Sequence, residues 1–152
     1  MQTVRWLDDD QQRAWRLYQA MNTMLGAALD RQLQRDAEMP HGYYTLLAIL
    51  SNRPGSRSRI TELARRTFTS QSRTSHAVVA LERRGWVRRE RSEDDSRGTV
   101  VVLTPAGKRA LRQAAPNHVE QVRTLLFDRL TSQQVHQLEQ ICAAVVDGLD
   151  AP

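Results

Sequence analysis

Ile60-Thr-Glu-Leu-Ala-Arg-Arg66, then Thr67-Phe-Thr69, then Ser70-Gln-Ser-Arg-Thr-Ser-His-Ala-Val-Val-Ala-Leu-Glu-Arg-Arg84 and Gly85, is the stretch that decides the fold. Thr61 reads as the N-cap of a short helix running to Arg66, because a threonine hydroxyl can accept a free backbone N–H of the first turn. Ser70 reads as the cap of a second helix that reaches about Arg84. Gly85 then falls where a left-handed residue often closes a helix. Two short helices separated by a tight turn form a helix-turn-helix pattern.

Moving toward the C-terminus, the hydrophobic period changes. Trp86–Arg91 reads as a strand and Thr99–Leu103, rich in β-branched residues, as its partner. The polar run Ser92–Gly98 between them makes a hairpin with an exposed tip, a wing. Thr104-Pro105 opens another helix, with a hydroxyl at the N-cap and proline at the first helical position. That helix carries Leu111 and Ala114, and Pro116 is expected to kink or interrupt it. Val119, Val122, Leu125 and Leu126 continue its apolar stripe. Thr131-Ser-Gln-Gln134 matches a capping box. The last helix, to about Asp147, sets Val135, Leu138, Ile141, Cys142, Val145 and Val146 on one face.

Moving toward the N-terminus, residues 9–35 carry Ala14, Tyr18, Met21, Leu25, Ala28, Leu29 and Leu33 at helical steps. Trp15, Leu17 and Met24 widen this surface, which implies burial on more than one side. Asp8-Asp-Asp10 suits a helix N-terminus. Pro40 and Gly42 end the segment, a helix over Tyr43–Asn52 follows, and Arg53-Pro-Gly-Ser56 breaks the chain again. The expected fold class is therefore mainly α with a small β-hairpin (α+β): a winged helix-turn-helix over residues 43–104. The helices of residues 1–42 and 105–152 should form a dimerisation region.

Charge is unevenly spread along the 152 residues. Residues 53–97 hold twelve arginines against six carboxylates, net +6, while residues 1–52 are net −1 and residues 98–152 are neutral. A basic centre between near-neutral flanks is an electrostatic footprint of nucleic-acid binding. No apolar run approaches the ~20 residues that span a bilayer, and the N-terminus lacks the pattern of a secretory signal. These readings lead to the expectation of a cytoplasmic protein without membrane contact. A single cysteine excludes an internal disulfide framework, and Cys142, on an apolar face, is read as a packed core thiol. His41, His76, His118 and His136 are scattered without metal-ligand spacing. No catalytic motif is present, so neither an enzyme nor a cofactor is expected.

With these elements in order, the chain resembles the MarR family of transcriptional regulators. The residues that carry the resemblance are Ile60–Arg66, Ser70–His76, Leu81–Arg88, Asp94-Asp-Ser-Arg-Gly98 and Val102-Leu-Thr-Pro-Ala-Gly107. The resemblance implies a homodimer built from interlocking terminal helices, with each winged lobe on the same face of a DNA duplex. It also implies a repressor that releases DNA when a small aromatic or phenolic molecule binds near the junction of the two regions. Members that sense peroxides use a reactive cysteine near the first helix, and this chain has none there.

Recognition helices place their N-terminal residues at base edges in the major groove. The DNA-binding candidates are accordingly Ser70, Gln71, Ser72, Arg73, Thr74, Ser75 and His76, with Ser70 also a cap and Thr74 spaced to pack with Val78 and Leu81. Glutamine suits adenine and arginine suits guanine. Arg97, at the wing tip, is expected to enter a minor groove. Asp95 would repel phosphate and is assigned a structural role there. Arg57, Arg59, Arg89 and Arg91 are phosphate candidates, along with Arg65 and Arg88. Strand alternation prevents all of them from facing DNA equally. Candidates for an effector pocket are Trp15, Tyr18, Met39, His41, Tyr44 and His118, which could equally serve as core and dimer contacts. The expectation is a sequence-specific double-stranded DNA-binding regulator. The alternative is a non-specific architectural or protein-interaction winged helix.

Overall fold

The computed structural model describes residues 3–92 and 98–149. Among the described residues six α-helices and three strands follow in the order α1 (Asp9–Ala37), α2 (His41–Ser51), β1 (Arg57–Arg59), α3 (Ile60–Arg66), α4 (Gln71–Arg83), β2 (Val87–Arg91), β3 (Thr99–Leu103), α5 (Pro105–Leu125) and α6 (Ser132–Leu149), with single 3-10 turns at Pro54–Ser56 and Phe127–Arg129. The strands form one antiparallel sheet in the order β1-β3-β2. The mainly helical winged architecture thus stands as the sequence implied, with one strand added.

Local chemistry explains most of the boundaries. Asp8 caps α1 in a reciprocal box: Gln11 N donates to the Asp8 carboxylate at 2.8 Å and Asp8 N to the Gln11 amide oxygen at 3.1 Å. Glu38 ends the helix in the left-handed region. The same reciprocal pattern joins Thr131 and Gln134 ahead of α6. Ser70 accepts from Arg73 N at 3.2 Å and so caps α4.

Four expectations need correction. Helix α2 starts at His41 rather than Tyr43, because Asp30 on α1 accepts from His41 N at 2.9 Å and supplies the cap that Pro40 cannot. Gly42 is simply helical. Helix α3 is capped at Arg59 with no side-chain hydrogen bond, and Thr61 lies inside it. The cause is β1, which pairs Arg57, Ser58 and Arg59 with Val102, Val101 and Val100 and holds the chain extended up to the helix start. Helix α5 is not interrupted at Pro116; Leu111 and Ala114 before the proline and His118 after it are all buried, so packing on both sides offsets the backbone hydrogen bond the proline removes. Cys142 is exposed rather than packed.

One core joins the winged lobe to α1 and α5. It contains Leu33 and Met39, Leu47 and Leu50, Leu63, Val78 and Leu81, Val101 and Leu103, and Leu111. Thr104 locks the sheet to α5. Its hydroxyl donates to Gly85 O at 2.6 Å and accepts from Gly107 N at 3.1 Å, while its N–H donates to Trp86 O at 3.0 Å. Gly107 sits so near this carbonyl that a Cβ would come within 2.1 Å of Trp86 O. That contact explains physically why the motif ends in glycine. By contrast α6 has no buried residue, and Trp15, Leu17, Tyr18 and Met24 of α1 and Ile141 and Val145 of α6 are exposed.

Candidate nucleic-acid interface

Helix α4 divides cleanly into two faces. Thr74, Val78 and Leu81 are buried at steps of four and three. Gln71, Ser72, Arg73, His76 and Arg83 are exposed. Ser75 is half-buried, and its hydroxyl donates back to Gln71 O at 2.8 Å. The free N–H groups of the first turn carry partial positive charge, which favours phosphate at this end. Thr74 is a correction to the candidate set. It is 2% exposed, and its hydroxyl is tied to Thr69 Oγ1 at 2.9 Å and Ser70 O at 3.1 Å, so it holds the turn rather than offering a contact.

The surrounding arginines are largely held by carboxylates. Glu62 receives hydrogen bonds from Arg65 and Arg66, which hold its carboxyl down to about 2. Glu82, on α4, accepts both the backbone N–H and the guanidinium of Arg89 at 2.9 and 2.8 Å, which lowers its carboxyl below the ordinary value. Glu90 holds Arg88 at 2.8 Å and Arg57 at 3.3 Å. Arg59 donates to Ser92 Oγ at 3.1 Å. Arg91 is exposed on β2.

Register sorts these side chains by face. Arg57 and Arg88 both oppose Val102, and Arg59 and Glu90 both oppose Val100, so they share one side of the sheet. Arg89 and Arg91 alternate with Arg88 and Glu90, and so share the other side with Val87, toward α4. Arg89 and Arg91 are thereby grouped with the α4 side of the sheet, and Arg57 and Arg59 are not. Sequence reading missed the Glu82 and Glu90 clamps. The Glu62 clamp was legible as an i,i+3/i+4 pair. Asp95 and Arg97 lie outside the described residues.

The effector candidates also separate. His41, Tyr44 and His118 come together where α2 meets α5: the His41 and His118 rings lie 5.3 Å apart and the Tyr44 and His118 rings 4.2 Å apart. His118 is 6% exposed. Gln32, which the sequence did not single out, orients it. The Gln32 amide nitrogen donates to Asp36 at 2.9 Å, so its oxygen faces His118 Nδ1 at 3.3 Å and the imidazole carries its proton there. Burial lowers the pKa of both histidines, with the charge of His41 adding to the effect on His118, and raises that of Tyr44. Met39 instead belongs to the core. Trp15 and Tyr18 stack on each other, and Tyr18 lies about 18 Å along α1 from Asp30, beyond reach of the histidines of the same chain. Among the described residues no group of three His, Cys, Asp or Glu could hold a metal ion, and no helix is long and apolar enough to cross a membrane.

This arrangement, a capped helix with an exposed polar edge beside a small antiparallel sheet, defines a winged helix-turn-helix protein. Residues 38–98 match the MarR family model. Sco3205 of Streptomyces coelicolor, a MarR family transcriptional regulator solved in complex with DNA, is 48% identical, with 99% of this chain and 94% of that one covered and a TM-score of 0.95. AbsC, another MarR family regulator of Streptomyces coelicolor, is 36% identical over 96% of this chain and 98% of its own, with a TM-score of 0.91. The transcriptional repressor MprA of Escherichia coli strain K12 is 30% identical over 90 residues, 59% of this chain. The matched chain spans only 64% of the length of the curated relative YfiV of Bacillus subtilis and 51% of MprA. The chain belongs to the MarR family, whose members are transcriptional regulators rather than enzymes.

Proposed function

We propose that this chain is a sequence-specific duplex-DNA-binding repressor that works as a homodimer. The observation that carries the reading is the exposed edge of α4, Gln71, Ser72, Arg73 and His76, behind a Ser70 cap and over a buried Thr74-Val78-Leu81 stripe. Gln71 and Arg73 read bases, while Arg89 and Arg91 meet phosphates and supply affinity without sequence information. Arg97 enters a minor groove from the wing. Residues 43–104 form the DNA-binding unit. Residues 1–42 and 105–152 form the dimer, in which the apolar faces of α1 and α6 cover each other. Such a dimer binds an inverted repeat with half-sites about one helical turn apart.

A small aromatic or phenolic effector would release the DNA by binding against His41, Tyr44 and His118. With its proton on Nδ1, His118 presents Nε2 as an acceptor suited to a phenolic hydroxyl.

The test is binding to a duplex selected from a random pool, measured against unrelated competitor. Replacing Gln71, Arg73 and His76 together by Ala should abolish the preference for the selected sequence and leave weak non-specific binding. Preference that survives the triple substitution would favour the architectural alternative.

A further inference from the structure

The turn between α3 and α4 holds a contradiction. Phe68 adopts a left-handed backbone with φ of 51°, a conformation that is a genuine outlier for a bulky side chain. Glycine takes it at no steric cost and is common in such turns. The aromatic ring gains no burial in exchange, since Phe68 is 75% exposed. Both neighbours are pinned. Thr67 Oγ1 donates to Leu63 O at 2.8 Å, Thr69 N donates to Ala64 O at 3.1 Å, and the hydroxyls of Thr67, Thr69 and Thr74 form a chain with links of 2.8 and 2.9 Å. The Phe68 N–H is satisfied by Arg65 O at 3.2 Å. The turn is thus rigid, strained at one residue, and directs an apolar ring into solvent two positions before the cap of α4.

Neither the backbone nor the core favours phenylalanine here, and its ring is open to a contact outside the chain. We propose that Phe68 is a DNA-contacting residue that packs its ring against apolar surface of the duplex beside the recognition helix. The surface is either a thymine C5-methyl group or the deoxyribose of the adjoining backbone. The rigid turn makes the ring a fixed wedge that costs little ordering on binding. This inference rests on the DNA-binding reading of α4 and adds to it an uncharged contact that the arginines do not supply.

The experiment measures, for the full chain and a duplex selected by it, affinity, salt dependence and thermal midpoint. Phe68→Gly should leave the midpoint equal or higher, because strain is relieved, and should weaken binding about tenfold. Its salt dependence should match the parent, because no cation is lost. Phe68→Leu should recover most of the affinity by restoring apolar bulk. Replacing thymine by deoxyuridine in the duplex separates the two surfaces: a matching loss with the parent chain places the ring on the methyl group, and no loss places it on deoxyribose. Unchanged affinity of a folded Phe68→Gly chain, or Phe68→Leu binding no better than Phe68→Gly, overturns the inference. Failure of the parent chain to select any duplex overturns the DNA-binding reading instead.

Discussion

Adding one methyl group at Gly107 should damage the protein, while adding the same group at Gly42 should not. An alanine Cβ at position 107 would lie 2.1 Å from Trp86 O and 2.7 Å from Leu103 Cδ1, whereas ordinary contact starts at 3.4 Å. The nearer gap falls 1.3 Å short (3.4 − 2.1), and the atom in the way is backbone. Trp86 O cannot retreat freely, because it accepts from Thr104 N at 3.0 Å. Moving the start of α5 instead strains the Thr104 hydroxyl between Gly85 O and Gly107 N. Overpacking costs about 1–3 kcal/mol and a weakened cap about 1 kcal/mol. The better helix propensity of alanine offsets about 1 kcal/mol of this, leaving Gly107→Ala destabilised by about 1–3 kcal/mol. At Gly42, exposed in α2 with nothing within 4 Å of the added carbon, only the propensity gain remains. Urea unfolding at one fixed protein concentration checks both, because midpoints of associating chains depend on concentration. The Gly107→Ala midpoint should fall and the Gly42→Ala midpoint hold or rise. A Gly107→Ala midpoint at or above that of Gly42→Ala would refute the close-contact argument.

Three further outcomes are expected. The His41 and His118 pKa values are lowered from 6.5 on folding, so the unfolded chain binds more protons as pH falls below that value; the stability contributed by the neutral rings is complete above 6.5 and lost as pH drops toward the depressed folded values. His118→Gln should flatten the change in urea midpoint between about pH 7.5 and about pH 5.5, and an unaltered profile would count against that assignment. Val145→Asp puts a charge on the exposed apolar face of α6 and should convert a dimer to monomer in sedimentation, with helical content retained; a dimer of unchanged affinity would exclude α6 from the interface. Arg97→Ala should weaken operator binding with no change in thermal midpoint, and equal affinity would remove the wing assignment.

The features legible in the sequence are those set by neighbours a few residues apart. Ser70 with Arg73, Thr104 with Gly107, Thr131 with Gln134 and the buried Thr74-Val78-Leu81 stripe all lie within about two helical turns, where composition and period determine structure. The helix-turn-helix, the hairpin and the exposed edge of α4 were therefore readable without coordinates. Strand β1 was not, because Arg-Ser-Arg has no apolar alternation and becomes a strand only by pairing with β3. The start of α2 depended on Asp30, eleven residues back. His118 depended on Gln32, 86 residues away. The division of arginines into those beside α4 and those behind the sheet depended on register across three strands. The exposure of Cys142 has the same origin, since an apolar stripe encodes that a face will be covered but not whether the cover comes from the same chain. Side-chain chemistry and spacing thus determined which helix carries a buried stripe behind an exposed polar edge. Only contacts between distant segments decided which basic groups stand beside it and which rings pack around the buried His118.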